Sequence, residues 1–253
     1  RDGDWNIVAG GALDDVWEQN YHVIPRFRIP SNWRLDRSFD WGASHPASVG
    51  WWAESNGEEV RYTARRFDNG RLEDWEVKRS FAPGTFIRIN EWYLTKELGT
   101  NTGLKLSAKE IAKGIKEREA AMRQQGWISG VVLPGPADGQ IYQQPQPDVE
   151  TIADKMAAEG VRWIPADKSA GSRVSGLELI RGRLKEREGP GLFFMENCRA
   201  AIALLPMLPR DEKNTEDVDT KAEDHLYDDV RYKVLAGNNR IAKKLNVRHV
   251  NER

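Results

Sequence analysis

Asp40, Asp138 and Asp228 lie far apart in the chain: Asp40 reads as a carboxylate inside a short strand, and the other two fall at element ends downstream. Asp40 sits in Arg37-Ser38-Phe39-Asp40-Trp41-Gly42, a short strand and Gly turn followed by the apolar run Ser48 to Ala53. A charge in a buried strand is costly unless something pairs with it, and a metal ion is one such partner. Asp138 ends Pro134-Gly135-Pro136-Ala137-Asp138, and Asp228 belongs to Asp224-His225-Leu226-Tyr227-Asp228-Asp229. Brought to one place, these carboxylates would hold hard divalent ions such as Mg2+ or Mn2+. Two such ions about 3.5–4 Å apart can carry out phosphodiester hydrolysis. In that scheme Asp40 bridges both ions, Asp138 holds one and Asp228 the other.

Around Asp228 the spacing adds accessory groups. Asp224 and Asp228 are four apart and His225 and Asp228 three apart, so both pairs share a helix face. His225 could steady a ligand, contact the scissile phosphate or assist a proton transfer. Asp229 is rotated about 100° from Asp228 and ranks below it. Glu91 extends the row of Ile87 and Ile89 on one face of a strand, which makes it a secondary candidate. Blander roles stand beside these. Asp138 alone reads as a turn residue, Asp224 as a helix-start acid favoured by the macrodipole, and Glu91 as an edge-strand charge. His22 and His45 carry no pattern.

The elements that must position these residues can be read in order. Residues 1–36 form an arm anchored by Trp5, Trp17, Tyr21 and Trp33, with Pro25 and Pro30 keeping its end extended. Strands are expected over about 37–41, 48–54 and 85–94. Between the last two, residues 56–84 read as a hairpin insertion, polar and marked by the turn signals Asn56-Gly57 and Asp68-Asn69-Gly70. Ser107 and Glu110 form a capping box for a helix ending near Gly126, with a basic face of Lys109, Lys113, Lys116, Arg118 and Arg123. A strand over 127–133 then delivers Asp138. A helix capped by Asp148, a strand over 161–165, a helix over 174–187, a strand over 191–195 and a helix over 197–205 follow. An acidic mobile loop is expected over 211–220, and the last helix over 223–235, ended by Gly237-Asn238. Arg240, Lys243, Lys244 and Arg248 form a basic tail. Short-turn strands followed by helix–strand alternation predict an α/β domain over 37–253, a mixed central sheet with helices on both faces.

Composition narrows the function classes. The 253 residues are 30% charged with a formal net charge of -1, so overall charge neither calls for nor excludes nucleic acid. The single cysteine, Cys198, excludes an internal disulfide and a multi-cysteine zinc site, and its apolar neighbours mark it as a core thiol. No stretch is long and apolar enough to span a membrane, and no signal peptide opens the chain, so a cytoplasmic location is expected. The patterns GxxxxGK[ST] and GxGxxG are absent, so no ATP is expected at a P-loop. The chain opens on Arg1, as a fragment of a longer protein would.

Taken together, Ser38 to Gly42, Gly135 to Asp138 and Asp224 to Tyr232 resemble the C-terminal nuclease domain of the terminase large subunit of tailed phages and prophages. The last segment is similar to that family's His-x-x-Asp-x-x-Arg-Tyr ending. The stretch 160–187, with Gly160, Trp163, Lys168, Ser172, Arg173 and Leu184, is similar to what the family places between its second and third acids. No single motif is specific; their order and spacing are, over roughly 37–235. The resemblance implies a ribonuclease H-like fold and a metal-dependent endonuclease that cuts concatemeric double-stranded viral DNA during packaging. It implies two divalent ions on the triad Asp40, Asp138 and Asp228, with His225 at an accessory position. It also implies an ATPase domain upstream, to which residues 1–36 would be the arm or linker, and a small terminase subunit and portal protein as partners in the host cytoplasm. The segment between Asp40 and Asp138 is longer than the family's, which the hairpin insertion explains. Two rival readings are a Holliday-junction resolvase or transposase-like nuclease of the same fold, and a non-catalytic DNA-packaging module.

Overall fold

A computed structural model describes residues 10–68, 71–219 and 221–251. Trp5, Asn69, Gly70 and Thr220 lie outside the described residues, as do the side chains of Lys243, Lys244 and Arg248. The strands are β1 (Val23–Ile24), β2 (Arg34–Asp40), β3 (Ser48–Glu54), β4 (Glu59–Asp68), β5 (Arg71–Ser80), β6 (Phe86–Tyr93), β7 (Val132–Leu133), β8 (Pro136–Ala137), β9 (Ile164–Pro165) and β10 (Leu192–Met195). The helices are α1 (Gln19–His22), α2 (Ala108–Gln124), α3 (Ile152–Ala158), α4 (Ser172–Lys185), α5 (Arg199–Leu204) and α6 (His225–Asn251).

The central sheet runs β1-β10-β6-β3-β2-β8-β9, with β7 also beside β2. β3 is antiparallel to both β2 and β6, while β2 with β8, β8 with β9, and β6 with β10 are parallel. Its two faces are set by the alternation of β2. Arg37 points to α2, where its guanidinium donates to Glu119 at 2.7 Å. Asp36, Ser38 and Asp40, one step out of phase, point to α6. The adjacent tryptophans of β3 obey the same rule: Trp51 donates to Glu119 on the α2 side and Trp52 to Ser38 on the α6 side. Both indoles are fully buried, so the sheet is covered by helices on both faces.

α2 starts as expected, with Ser107 and Glu110 closing a capping box, and buries Ile111, Ile115 and Met122. Its Lys109, Lys113, Lys116 and Arg123 face solvent. The arm is built into the same body: β1 adds an edge strand beside β10, and the Ile29 amide donates to Trp127 O at 2.9 Å.

Several expectations need correction. The strand expected over 127–133 is only Val132–Leu133, resuming at Pro136–Ala137, because Pro134 and Pro136 cannot donate to a ladder. The strand expected over 161–165 is likewise reduced to Ile164–Pro165. Thr151, not Asp148, caps α3, accepting from the Asp154 amide at 3.0 Å, while Asp148 takes a left-handed turn conformation with φ +63°. The last helix does not stop at Gly237-Asn238 but continues to Asn251. Gly237 is there for packing: a Cβ would stand 2.1 Å from the Phe86 ring, so α6 crosses the sheet where only glycine fits. The segment 211–219 is tied down by turns, by the Arg210–Val218 bridge and by Asp217 on Arg173.

The hairpin insertion is a separate two-stranded sheet, β4 with β5, paired from Glu59 with Ser80 to Asp68 with Arg71. Only its base joins the core, where the Tyr62 and Phe81 rings both stack on Phe27. Leu72 and Trp75 on β5 are 66% and 42% exposed.

Candidate active site

α6 lies along β2 in step with it. Four helical residues rise about 6 Å and two strand residues about 6.6 Å, so His225, Asp229 and Lys233 fall opposite Asp40, Ser38 and Asp36. His225 Nδ1 lies 2.9 Å from Asp40 Oδ2, Ser38 Oγ donates to Asp229 at 2.6 Å, and Lys233 Nζ donates to Asp36. Asp40 is the last residue of β2, so the first rung is at the open end of the sheet.

Asp138 arrives beside it through the parallel pairing of β2 and β8. Its amide donates to Phe39 O at 3.0 Å, and Phe39 is opposite Ala137. Its carboxylate accepts from the Gln140 amide at 3.0 Å, capping a 3-10 turn over Gly139–Tyr142, and from Lys168 Nζ. Asp138 is thus both the turn residue and the second acid of the cluster.

Asp228 comes from the first turn of α6. It accepts from Arg231 Nε at 3.0 Å and from the Tyr232 hydroxyl at 3.3 Å, with Arg173 Nη1 at 3.5 Å. Asp224, just before the helix, lies 3.6 Å from Arg173.

The electrostatics show that these acids feel one another. Burial, with repulsion from Asp228 and Asp138, pushes Asp40 up to about 7 against the pull of His225. Asp224 is pushed up to about 6, first by burial and then by Asp228. Burial alone would lower the His225 pKa, but Asp40 on its Nδ1 raises it above the ordinary histidine value. Burial and the nearby Asp40 likewise hold the Tyr232 phenol protonated well above its usual range.

Two sequence candidates stand elsewhere. Asp229 is 0% exposed and turned away from Asp228 as helical geometry requires. Far from being a solvated lesser acid, it accepts from Ser38, from Ser48 and from Arg88 Nη1 and Nη2 at 2.7 and 2.9 Å. Those bonds saturate its oxygens. Gly50 makes the pair possible, since a Cβ there would stand 2.3 Å from Arg88 Nη1. Glu91 lies past the end of the β10 pairing, which stops at Arg88, but it is not a solvated edge charge, since its side chain is only 7% exposed. It accepts from the Ala200 and Ala201 amides at 2.6 and 3.2 Å and from Arg88 at 3.3 Å. It anchors the start of α5 and braces the buried arginine.

Sequence reasoning gave no role to Lys168 and Arg173, although both stand in the stretch 160–187 that carried the resemblance. It also passed over His45, whose ring stacks on His225 with centroids 5.5 Å apart. No spacing links a histidine in the turn before β3 to one on α6, so no sequence signal could have found that contact.

Three acids, with Asp40 raised first by burial and then by the charges of Asp228 and Asp138, are oxygen donors of the type a hard divalent ion takes. Among the described residues, no group of three or more His, Cys, Asp or Glu side chains is posed to hold an ion. The acids instead hold side-chain cations: Lys168 on Asp138, Arg173 and Arg231 on Asp228, and His225 beside Asp40. These supply the positive charge that closely spaced carboxylates require.

The architecture is that of a ribonuclease H-like nuclease fold, the class in which the nuclease domains of phage large terminases fall. The chain is similar to the large terminase of a thermophilic bacteriophage in complex with ATP-gamma-S, with a TM-score of 0.57 and 17% identity over 89% of this chain and 45% of that one. Another structure of that phage's large terminase, in the same crystal form, gives a TM-score of 0.55 and 17% identity over 88% of this chain and 44% of the other. The nuclease domain of the P22 large terminase matches with a TM-score of 0.53 and 14% identity, over 85% of this chain and 87% of that domain. This chain therefore spans less than half of the thermophilic phage's terminase and most of the isolated P22 nuclease domain. No family model and no curated protein matches the sequence.

Proposed function

We propose that this chain is a divalent-metal-dependent endonuclease that cuts concatemeric double-stranded DNA during viral genome packaging, as the nuclease part of a terminase large subunit. What supports the reading is that Asp40 ends β2, Asp138 follows β8 on the neighbouring strand and Asp228 stands in the first turn of α6, with Asp40 pushed up to about 7 by burial and by the charges of Asp228 and Asp138. Asp40, Asp138 and Asp228 would hold two ions, Mg2+ or Mn2+. Bound there, the ions supply the Lewis acidity that phosphodiester hydrolysis needs. His225 orients the Asp40 carboxylate through Nδ1 and can hold or release a proton at its other ring nitrogen. Lys168 and Arg173, released from the acids, remain within reach of an anionic substrate.

In this reading an ATPase domain precedes the chain in the same protein, and the small terminase subunit and portal are its packaging partners. Among the described residues, no helix is long and apolar enough to cross a membrane. The test is incubation of the chain with supercoiled plasmid in Mn2+, in Mg2+ and in excess EDTA. Nicking and linearisation only with metal, falling steeply with added salt as phosphate contacts demand, are expected. Cutting that survives EDTA overturns the metal mechanism, and an inert chain in both metals overturns the enzyme.

A further inference from the structure

A cleft of about 460 Å³ opens beside Asp228, lined by Lys168, Ser172, Arg173 and Arg231 together with Asp217 and Asp228. Three features suit it to an anion. First, the 14-residue helix α4 starts at its wall after Gly171, whose φ of +83° makes the turn, and among the described residues no side chain caps that start. The Ser172 amide is taken by Ser169 O at 3.0 Å, but the amides of Arg173 and Val174 have no intrahelical acceptor. They carry the positive end of the helix dipole. Second, Arg231 is only 2% exposed, and its Nη1 has no hydrogen-bond partner among the described residues, although Nε and Nη2 are held by Asp228. A buried guanidinium nitrogen without an acceptor is costly, and an oxyanion in the cleft would relieve it. Third, Lys168, Arg173 and Arg231 bring three cationic side chains to its wall, each paired with an acid that an incoming anion would share it with.

We infer that this cleft is a phosphate subsite, taking a backbone phosphate of the nucleic acid next to the one held at the three acids. The inference rests on the nuclease reading. Its geometry favours a phosphodiester on a strand over a free nucleotide, because Asp228 is shared: it lines the cleft and its charge also acts on Asp40. A strand lying across Asp228 would present neighbouring phosphates to both places. The unpartnered Arg231 Nη1 suits one phosphate oxygen, and the free α4 amides suit another.

The decisive variant is Val174→Asp. Val174 lines the cleft in the first turn of α4, where a carboxylate is favoured by the helix dipole; it fills the anion site without harming the fold. Val174→Thr is the control of similar shape and no charge. Binding of a short fluorescent duplex is measured by anisotropy in Ca2+ across a salt series. Val174→Asp should bind several-fold more weakly at low salt, with the slope of log affinity against log salt reduced by about one, and Val174→Thr should match the parent. Unchanged affinity and slope in Val174→Asp overturn the subsite. If the parent itself neither binds nor cuts DNA, the nuclease reading fails, and melting in inorganic phosphate against chloride at equal ionic strength then judges the cleft. Protection of the parent that is lost in Val174→Asp retains an anion site, and absence of protection overturns it.

Discussion

His225 Nδ1 lies 2.9 Å from Asp40 Oδ2, and this contact is the end rung of a ladder that joins α6 to β2. The two rungs behind it are closed: Asp229 is fully bonded to Ser38, Ser48 and Arg88, and Lys233 is paired with Asp36. The end rung differs in what surrounds it. Asp40 has Asp138 and Asp228 as neighbours instead of a full-time cation, and so its charge is unsatisfied. The same helix–strand register thus ties the fold together at one end and leaves a buried acid beside other acids at the other.

The ladder separates two adjacent acids by function. Asp229→Asn should unfold the domain more easily by about 3–5 kcal/mol, because it strands the buried Arg88, and the loss should be the same with or without divalent metal. Gly50→Ala should also destabilise, since the new methyl meets the same guanidinium. Denaturant unfolding in EDTA and in Mn2+ measures both. A parental midpoint for Asp229→Asn would mean that the pair with Arg88 does not support the fold.

The three site acids should behave differently from Asp229 and from one another. Asp40→Asn and Asp138→Asn should abolish cleavage while leaving the metal-free melt unchanged or slightly raised, because each removes one charge from a repelling set. Asp228→Asn should also abolish cleavage but lower stability by about 1–3 kcal/mol, since the buried Arg231 relies on that carboxylate. Plasmid assays in Mn2+ and melts in EDTA on the same proteins decide. If Asp138→Asn cut like the parent, Asp138 would be a turn residue and nothing more.

The strand that carries Asp40 and the helix that carries Asp228 are legible in the sequence from their apolar patterns, whereas Asp138 follows a two-residue strand that no period marks. Asp229 is legible only in part: helical geometry turns it away from Asp228, but its partners Arg88 and Ser48 come from β6 and β3, which no local spacing reveals. Glu91 shares its strand row with Ile87 and Ile89, yet its acceptors' work is for α5, formed much later in the chain. Gly237 shows a local rule overridden by packing: glycine ordinarily ends a helix, but here it lets α6 pass close to Phe86. The strands around Asp138 are shorter than their apolar runs suggest because prolines interrupt the ladder.

The β4–β5 hairpin should be separable from the fold above its base. Val60 and Tyr62 are buried among core rings and must stay, whereas β5 is largely exposed over Arg71 to Glu76. The Arg65–Asp74 pair is open to solvent, so it adds little stability. Replacing 64–75 with a short Gly-Ser turn should leave cooperative unfolding and the melting temperature close to the parent's. Loss of a cooperative transition on calorimetry would show that the hairpin is part of the core.

The acid cluster also sets a pH dependence whose sign can be worked out. Asp40 is pushed up to about 7 from an ordinary 3.8, Asp224 to about 6, and His225 lies above its ordinary 6.5. All three bind protons more tightly folded than unfolded. Between the ordinary carboxylate range and about pH 7 these three groups therefore hold more protons in the metal-free folded chain than in the unfolded one, an excess that His22, lowered by burial, offsets only in part. Stability must fall as pH rises through that window, because ionising Asp40 and Asp224 forces buried charge into the cluster and deprotonating His225 removes a balancing cation. Carboxylates whose pKa is lowered, such as Asp15 and Asp74 on their arginines, act in the opposite direction but only at lower pH. In chelator, the melting temperature should decline between about pH 5 and 8, and Asp40→Asn should flatten that decline. Divalent ions compete with the same protons, so Mn2+ affinity should rise with pH and level off above about 7, with protons released on binding. Calorimetric titration at pH 6 and pH 8, in buffers of different ionisation enthalpy, reads both quantities. Equal Mn2+ affinity at the two values, without proton release, would remove Asp40 from the ligand set.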